Sequence, residues 1–245
     1  MVNPKSSEKN IFQFNDVISN ISVDLLKVLK ANYNYRKLSS LTGIPVSTLT
    51  RYLTGRTTPK GSKARKLLRD LILNVNLSSL ISQFIRDDGT IDLPRIMFNP
   101  NMIKIMGAHA INEFAGMKIT SFMSLDLLSM PLTSYLSTTT SRHFYIVSRE
   151  PLSVDDGGFF ILSQNKSRYV WPDSYWIFFN KVKKKEEVLM ISSIIPEEEF
   201  FNKLVRVLEE KGVEIAGLFS VLGSEERLLK LDLKPGCKKS FLLQE

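Results

Sequence analysis

The sequence predicts a two-part chain: an α-helical amino-terminal domain followed by an α/β domain whose sheet is mainly parallel. Three observations carry this. Residues 35–59, YRKLSSLTGIPVSTLTRYLTGRTTP, space their apolar side chains for two short crossed helices. From Met117 onward, strand-like and helix-like segments alternate, the pattern of a parallel sheet covered by helices. Positive charge is concentrated in the first part: from Leu25 to Arg69 there are eleven Lys and Arg and no Asp or Glu. The turn-rich stretch RDDGTIDLPRIMFNP places the boundary, giving domains 1–85 and 86–245.

In the first domain, residues 1–10 are polar and expected to fray. Asn15 or Asp16 can cap a first helix whose apolar face is Val17, Ile18, Ile21, Val23, Leu25, Leu26 and Leu29. Two short helices follow, a helix-turn-helix pattern: Leu38 and Leu41 point the first at a core, Ser39 allows close approach, and Gly43 supplies the positive φ of the turn. Pro45 and Ser47 suit the start of the second, and Gly55 suits its C-terminal cap. SKARKLLRDLILNVN predicts a fourth helix, with Ala64, Leu67, Leu68, Leu71 and Ile72 inward, and Ser78 to Phe84 a short fifth.

The apolar seam leaves Ser47, Thr48, Thr50, Arg51 and Thr54 on the outside of the second short helix, followed by Arg56. Hydroxyls and guanidinium groups are the donors and acceptors that pair with base edges and phosphates in a major groove. Arg36, Lys37, Arg56, Lys60 and Lys63 are expected to neutralise phosphates. The formal net charge is +8, so the eleven cations exceed the total and the rest of the chain is net negative. The expected partner of the first domain is therefore double-stranded DNA, bound with strong salt dependence.

Composition sets outer limits. With 43% apolar and 24% charged residues, the chain is globular. One cysteine, Cys237, excludes an internal disulfide framework, and two histidines, His109 and His143, are too few for a structural zinc site. The amino terminus MVNPKSSEKN has no apolar core of signal-peptide length and no run anywhere is long enough to span a membrane, so a cytoplasmic protein with no membrane partner is expected. No metal, cofactor or catalytic residue is assigned.

In the second domain, an amphipathic helix from Asn101 to Phe114 precedes a strand at Ile119 to Leu125, a proline-started helix at Pro131 to Thr139 and a strand at His143 to Arg149. A hairpin-like region with Gly157 and Gly158 follows, then aromatic-rich strands around Tyr169 to Phe179 and a basic turn, Lys181 to Lys185. The remainder predicts a strand at Val188 to Ser192, a helix at Glu197 to Lys211, a strand at Val213 to Leu222, and a strand pair at Leu228 to Leu233 and Ser240 to Leu243.

The segments INEFAGMKITSFMSLDLLSMPLTSYLS, HFYIVSRE and EEVLMISSIIPEEEFFNKLVRVLEEKGVEIAGLFSVL, in that order, resemble type I phosphoribosyltransferases from about Pro100 to Leu222. The resemblance implies a site where a strand ends in two acidic residues and a small loop cradles a phosphate through backbone N–H groups. Here that stretch is Ser192, Ser193, Ile194, Ile195, Pro196 and Glu197, with Glu198 and Glu199 behind it. Both acids are serines, Pro196 has no N–H, and the carboxylates would repel phosphate. The loop after the first strand, Asp126, Leu127, Leu128, Ser129 and Met130, also departs from the pattern.

Taken whole, the chain is similar to archaeal regulators that set a helix-turn-helix before a phosphoribosyltransferase-like domain. That similarity implies a DNA-binding transcription regulator with a nucleotide or phosphoribosyl effector held around Ser192 to Glu197. The altered loops predict a catalytically inactive second domain, and the small surface of one helix-turn-helix predicts a homodimer on a repeated or palindromic operator. The alternative is a phosphoribosyltransferase-type enzyme with an atypical active site. Two features stay open. Glu197, Glu198 and Glu199 are either a favourable acidic first turn or a metal or base cluster. Trp171, Tyr175, Trp176, Phe178 and Phe179, beside Lys181, Lys183, Lys184 and Lys185, form either core and dimer contact or a stacking platform for bases.

Overall fold

The computed structural model describes residues 5–150, 158–162, 174–178 and 186–245. The chain forms two compact units, Met1–Ala115 and Gly116–Glu245. These units divide after Ala115, whereas the turn-rich stretch places a boundary at residue 85. The supposed run of turns contains a short helix with Leu93, Ile96 and Met97 buried, and the helix after it packs against two helices of the first unit.

The first unit opens with α1 (Lys5–Lys30), which starts about ten residues before the expected cap at Asn15 or Asp16. From Lys5 to Lys30 the sequence has neither Pro nor Gly to stop it. Val17, Ile18, Ile21, Leu25, Leu26 and Leu29 are buried, as their spacing predicts. α2 (Tyr35–Thr42) is capped by Asn34, whose side chain accepts from the Lys37 N–H at 2.8 Å, and ends at Gly43 with φ 65°. α3 (Val46–Leu53) follows Pro45, and Leu38 and Leu49 close the seam between the two helices with no exposure to solvent. The Ser39 hydroxyl donates to the Ile44 carbonyl at 2.7 Å, which ties α2 to the turn.

α4 (Ser62–Asn74) buries Ala64, Leu67, Leu68 and Leu71 and packs along α1. The Ser19 hydroxyl, on α1, donates to the Pro59 carbonyl at 2.6 Å and holds the α3–α4 connection. α5 (Leu77–Ile81) runs into a 3-10 turn, and α6 (Leu93–Met97) and α7 (Pro100–Glu113) complete the unit.

The second unit contains β1 (Ser121–Ser124), α8 (Met130–Thr140), β2 (His143–Ser148), β3 (Gly158–Leu162), β4 (Ser174–Phe178), β5 (Glu187–Ile194), α9 (Glu198–Glu210), β6 (Glu214–Gly223), α10 (Glu225–Lys230) and β7 (Lys238–Gln244). Among the described residues these strands form one seven-stranded sheet of order β3-β4-β2-β1-β5-β6-β7. β2, β1, β5, β6 and β7 are parallel, while β3 and β4 add an antiparallel hairpin at one end. β5 is buried without a break from Val188 to Ser193, as a central strand covered on both faces requires.

α9 packs Phe201, Leu204 and Leu208 into a core with Met123, Tyr145, Val188, Met190 and Leu218 of the sheet. α10 corrects the strand expected at Leu228 to Leu233. Glu225 and Glu226 lie in its first turn and Arg227 and Lys230 in its last, an arrangement that suits the helix dipole, and the Glu226–Lys230 pair at 2.7 Å spans one turn. The aromatic region is seen only in part, since Trp171, Phe179 and Lys181 to Lys185 lie outside the described residues, as do Asp155, Asp156 and Gly157.

Candidate nucleic-acid interface and strand-end crevice

Helical spacing places Ser47, Thr50, Arg51 and Thr54 on one face of α3, opposite the buried Leu49 and Tyr52. Ser47, Arg51 and Thr54 are exposed, while Thr48 and Thr50 are half-buried. The Thr50 hydroxyl donates to the Val46 carbonyl at 2.9 Å and the Thr54 hydroxyl to the Thr50 carbonyl at 2.8 Å. Both threonines thus present a methyl group and an acceptor oxygen, and the donors of this face come from Ser47 and Arg51.

The end of α3 is a Schellman motif: the Arg56 N–H bonds the Arg51 carbonyl at 3.0 Å, the Gly55 N–H bonds the Tyr52 carbonyl at 3.2 Å, and Gly55 has φ 72°. This turn sets the direction in which Arg56 leaves the helix. Arg36, Lys37, Arg56, Lys60 and Lys63 are all exposed, and among the described residues none forms an ion pair with a carboxylate. Lys30 instead lies over the Tyr35 ring at 4.7 Å, where it fixes α1 to α2. The first unit therefore carries uncompensated cations beside an exposed helix face.

In the second unit, β1 and β5 are the neighbours at which the strand order reverses, and the crevice beyond their C-terminal ends is where such sheets bind ligands. A side chain of the chain itself occupies that place. One Asp126 carboxylate oxygen accepts from the Ser129 N–H at 2.9 Å, and the other accepts from the Ser193 N–H at 2.8 Å. The Ser129 hydroxyl lies 2.7 Å from that of Ser124 and 3.1 Å from the Ile191 carbonyl, so the β1 loop is sewn onto β5.

The six residues expected to line a pocket are dispersed. Ser192 is buried with its hydroxyl 2.7 Å from that of Ser220, and Ser193 is buried with its N–H taken by Asp126. Ile195 is buried against β6, while Ile194 and Glu197 face solvent and Pro196 is half-buried. The Ile195 carbonyl accepts from Arg227 at 2.5 Å, and Arg227 also pairs with Glu245 at 2.5 Å.

Glu198 and Glu199 form the acidic first turn of α9, and Glu199 pairs with Lys203 at 2.8 Å, which favours the helix-dipole reading of the acidic triplet. The Tyr175 ring packs 4.4 Å from that of Phe200 on α9, a core contact. Burial pushes the Tyr145 hydroxyl well above the ordinary phenol range, helped by its hydrogen bond to the buried Glu186 at 2.5 Å. It stays a neutral donor. Sequence reasoning met Asp126 only as a departure from a pattern and missed Arg227, because each meets its partner only through the tertiary fold.

Residues 24–76 match the helix-turn-helix family model HTH_3. The hypoxanthine/guanine phosphoribosyltransferase of Methanosarcina mazei is 24% identical over 133 residues, which are 54% of this chain and 67% of the relative. That of Methanosarcina acetivorans is 25% identical over 133 residues, with the same shares of 54% and 67%. Among solved structures, adenine phosphoribosyltransferase from Thermoanaerobacter pseudethanolicus superposes with a TM-score of 0.53 and 12% identity, over 68% of this chain and 99% of that one. The enzyme from Leishmania tarentolae superposes with a TM-score of 0.54 and 15% identity, over 70% of this chain and 88% of that one. The solved structures establish the fold, and the match in the first unit falls on the basic helices. The chain joins an amino-terminal helix-turn-helix domain to a carboxyl-terminal region related to hypoxanthine/guanine phosphoribosyltransferases and built on the type I phosphoribosyltransferase fold.

Proposed function

We propose that the chain is a dimeric DNA-binding transcription regulator in which a phosphoribosyltransferase-like domain serves assembly and effector response and carries out no transfer. The observation that carries this reading is the exposed α3 face, Ser47 and Arg51 above all, flanked by Arg36, Lys37, Arg56, Lys60 and Lys63 without carboxylate partners among the described residues. Arg51 reads or positions on base edges, and the flanking cations hold phosphates. One small helix-turn-helix buries little surface, so two copies on a repeated or palindromic site supply the affinity that one lacks.

Loss of transfer chemistry is supported by the strand end after β5. Where the resemblance implies two acids, Ser192 is buried on Ser220 and the Ser193 N–H is already bonded. A nucleotide or phosphoribosyl effector remains part of this reading, bound beside the Ser192–Glu197 loop after rearrangement of that loop. The rival is an active phosphoribosyltransferase, favoured by the names of the curated relatives.

The decisive experiment selects bound fragments from genomic DNA with the full chain and footprints them. Protection of a repeated site, with sedimentation showing two copies bound, is the expected result. Failure to bind duplex DNA in dilute salt would refute the regulator reading. Turnover of phosphoribosyl pyrophosphate with any nucleobase, abolished by Ser193→Ala, would establish the enzyme.

A further inference from the structure

The crevice between β1 and β5 contains an arrangement that goes beyond this reading. Backbone N–H groups from two separate segments, Ser129 in the loop after β1 and Ser193 in strand β5 just before its last residue, Ile194, converge on a single carboxylate. Converging N–H groups at strand ends, beside a helix start, are the usual cradle of a bound anion. Here the anion is Asp126, which is covalently part of the first loop and lies 67 positions from Ser193.

We propose that Asp126 is an intramolecular ligand: its carboxylate takes the donors that a phosphate-bearing molecule would use and clamps the loop after β1 to the end of β5 without one. The closed arrangement is thereby held by the chain itself. A small polyanion can use these two N–H groups only if Asp126 leaves, and the cost of displacing a tethered competitor keeps its affinity low. The effector of the proposed regulator, if its phosphate enters this crevice, then acts by opening the Asp126–Ser193 contact. The carboxylate thus sets the threshold at which phosphate compounds are felt.

The test uses the full chain and inorganic pyrophosphate, with sodium chloride of equal ionic strength as the control. Wild type, Asp126→Ala and Asp126→Asn are melted with and without millimolar pyrophosphate. For wild type, Tm stays within the salt control. Asp126→Ala melts lower and recovers by a few degrees with pyrophosphate, because the freed donors accept an external anion that binds only the folded state. Asp126→Asn melts lower and does not recover, since its amide refills the volume while its NH2 opposes an N–H donor. A wild type that gains as much as Asp126→Ala would overturn the proposal, as would a folded Asp126→Ala indifferent to pyrophosphate. So would Asp126→Asn as stable as wild type, which keeps the proposal refutable even should the alanine variant fail to fold. DNA binding by the wild type is scored separately and bears only on the regulator reading.

Discussion

Ile195 lies over Gly223 so closely that a Cβ at position 223 would meet its Cδ1 at 2.2 Å and its Cγ1 at 2.5 Å. The contact is made where β5 and β6 end side by side, and the Ile195 N–H bonds the Leu222 carbonyl at 3.1 Å. The buried isoleucine thus fills space at the strand ends and fixes the path of the loop that follows.

Gly223→Ala is expected to destabilise the second unit by about 1 to 3 kcal/mol, the usual cost of overpacking a well-filled core. Pairing it with Ile195→Val, which removes the offending Cδ1 atom, should recover part of the loss. Urea unfolding of the single and double variants measures both. Additive losses would mean that the two side chains do not compete for the same space.

Arg51→Ala should weaken binding to the selected operator by about 1 to 3 kcal/mol while leaving non-specific binding nearly unchanged. Lys63→Ala should lower affinity for every sequence and reduce the slope of log affinity against log salt by about 1. Equilibrium titrations at several salt concentrations distinguish the two roles.

Gly55→Ala forces a side chain into the left-handed conformation that closes α3, at a cost of about 1 kcal/mol. Gly55→Asn should cost less, because asparagine tolerates that region. The same change tilts the chain that carries Arg56, so operator affinity is expected to fall with stability in the order glycine, asparagine, alanine. Thermal melts and binding titrations of the three proteins test the order.

Burial holds the His109 imidazolium below its ordinary value of 6.5, only partly offset by Glu113, and its Nε2 has no hydrogen-bond partner among the described residues. The unfolded chain therefore takes up the proton first as pH falls. Stability contributed by the neutral ring is intact above about pH 6.5 and declines below it. His109→Leu should flatten that part of the stability profile and cost little at neutral pH, as chemical denaturation from pH 5 to pH 8 would reveal.

The α2–α3 pair was legible because its instructions are local: Gly43, Pro45 and Gly55 punctuate it, and Leu38, Leu49 and Tyr52 lie inside one short window. The Asp126–Ser193 contact was not, since it depends on β1 and β5 becoming neighbours across 67 positions. LLKLDL near Leu228 alternates like a strand, yet the charges around it favour a helical turn that presents Arg227 to Ile195. The stretch between the boundary expected at residue 85 and the division after Ala115 is a related case. Asp, Gly and Pro between Asp87 and Pro100 signal turns correctly, but burial of Leu93, Ile96 and Met97 decides to which unit the segment belongs.

The sheet order also implies a sequence of events on the ribosome. Both neighbours of β1 are made after it, and β5 begins only at Glu187, whereas the helices of the first unit are complete once Glu113 has been added. Amino-terminal units fold first as a chain emerges. A nascent polypeptide of this protein therefore carries a finished DNA-binding element for tens of residues of synthesis before its central strand has a full set of partners, and it is in that interval that chaperones have the most to protect.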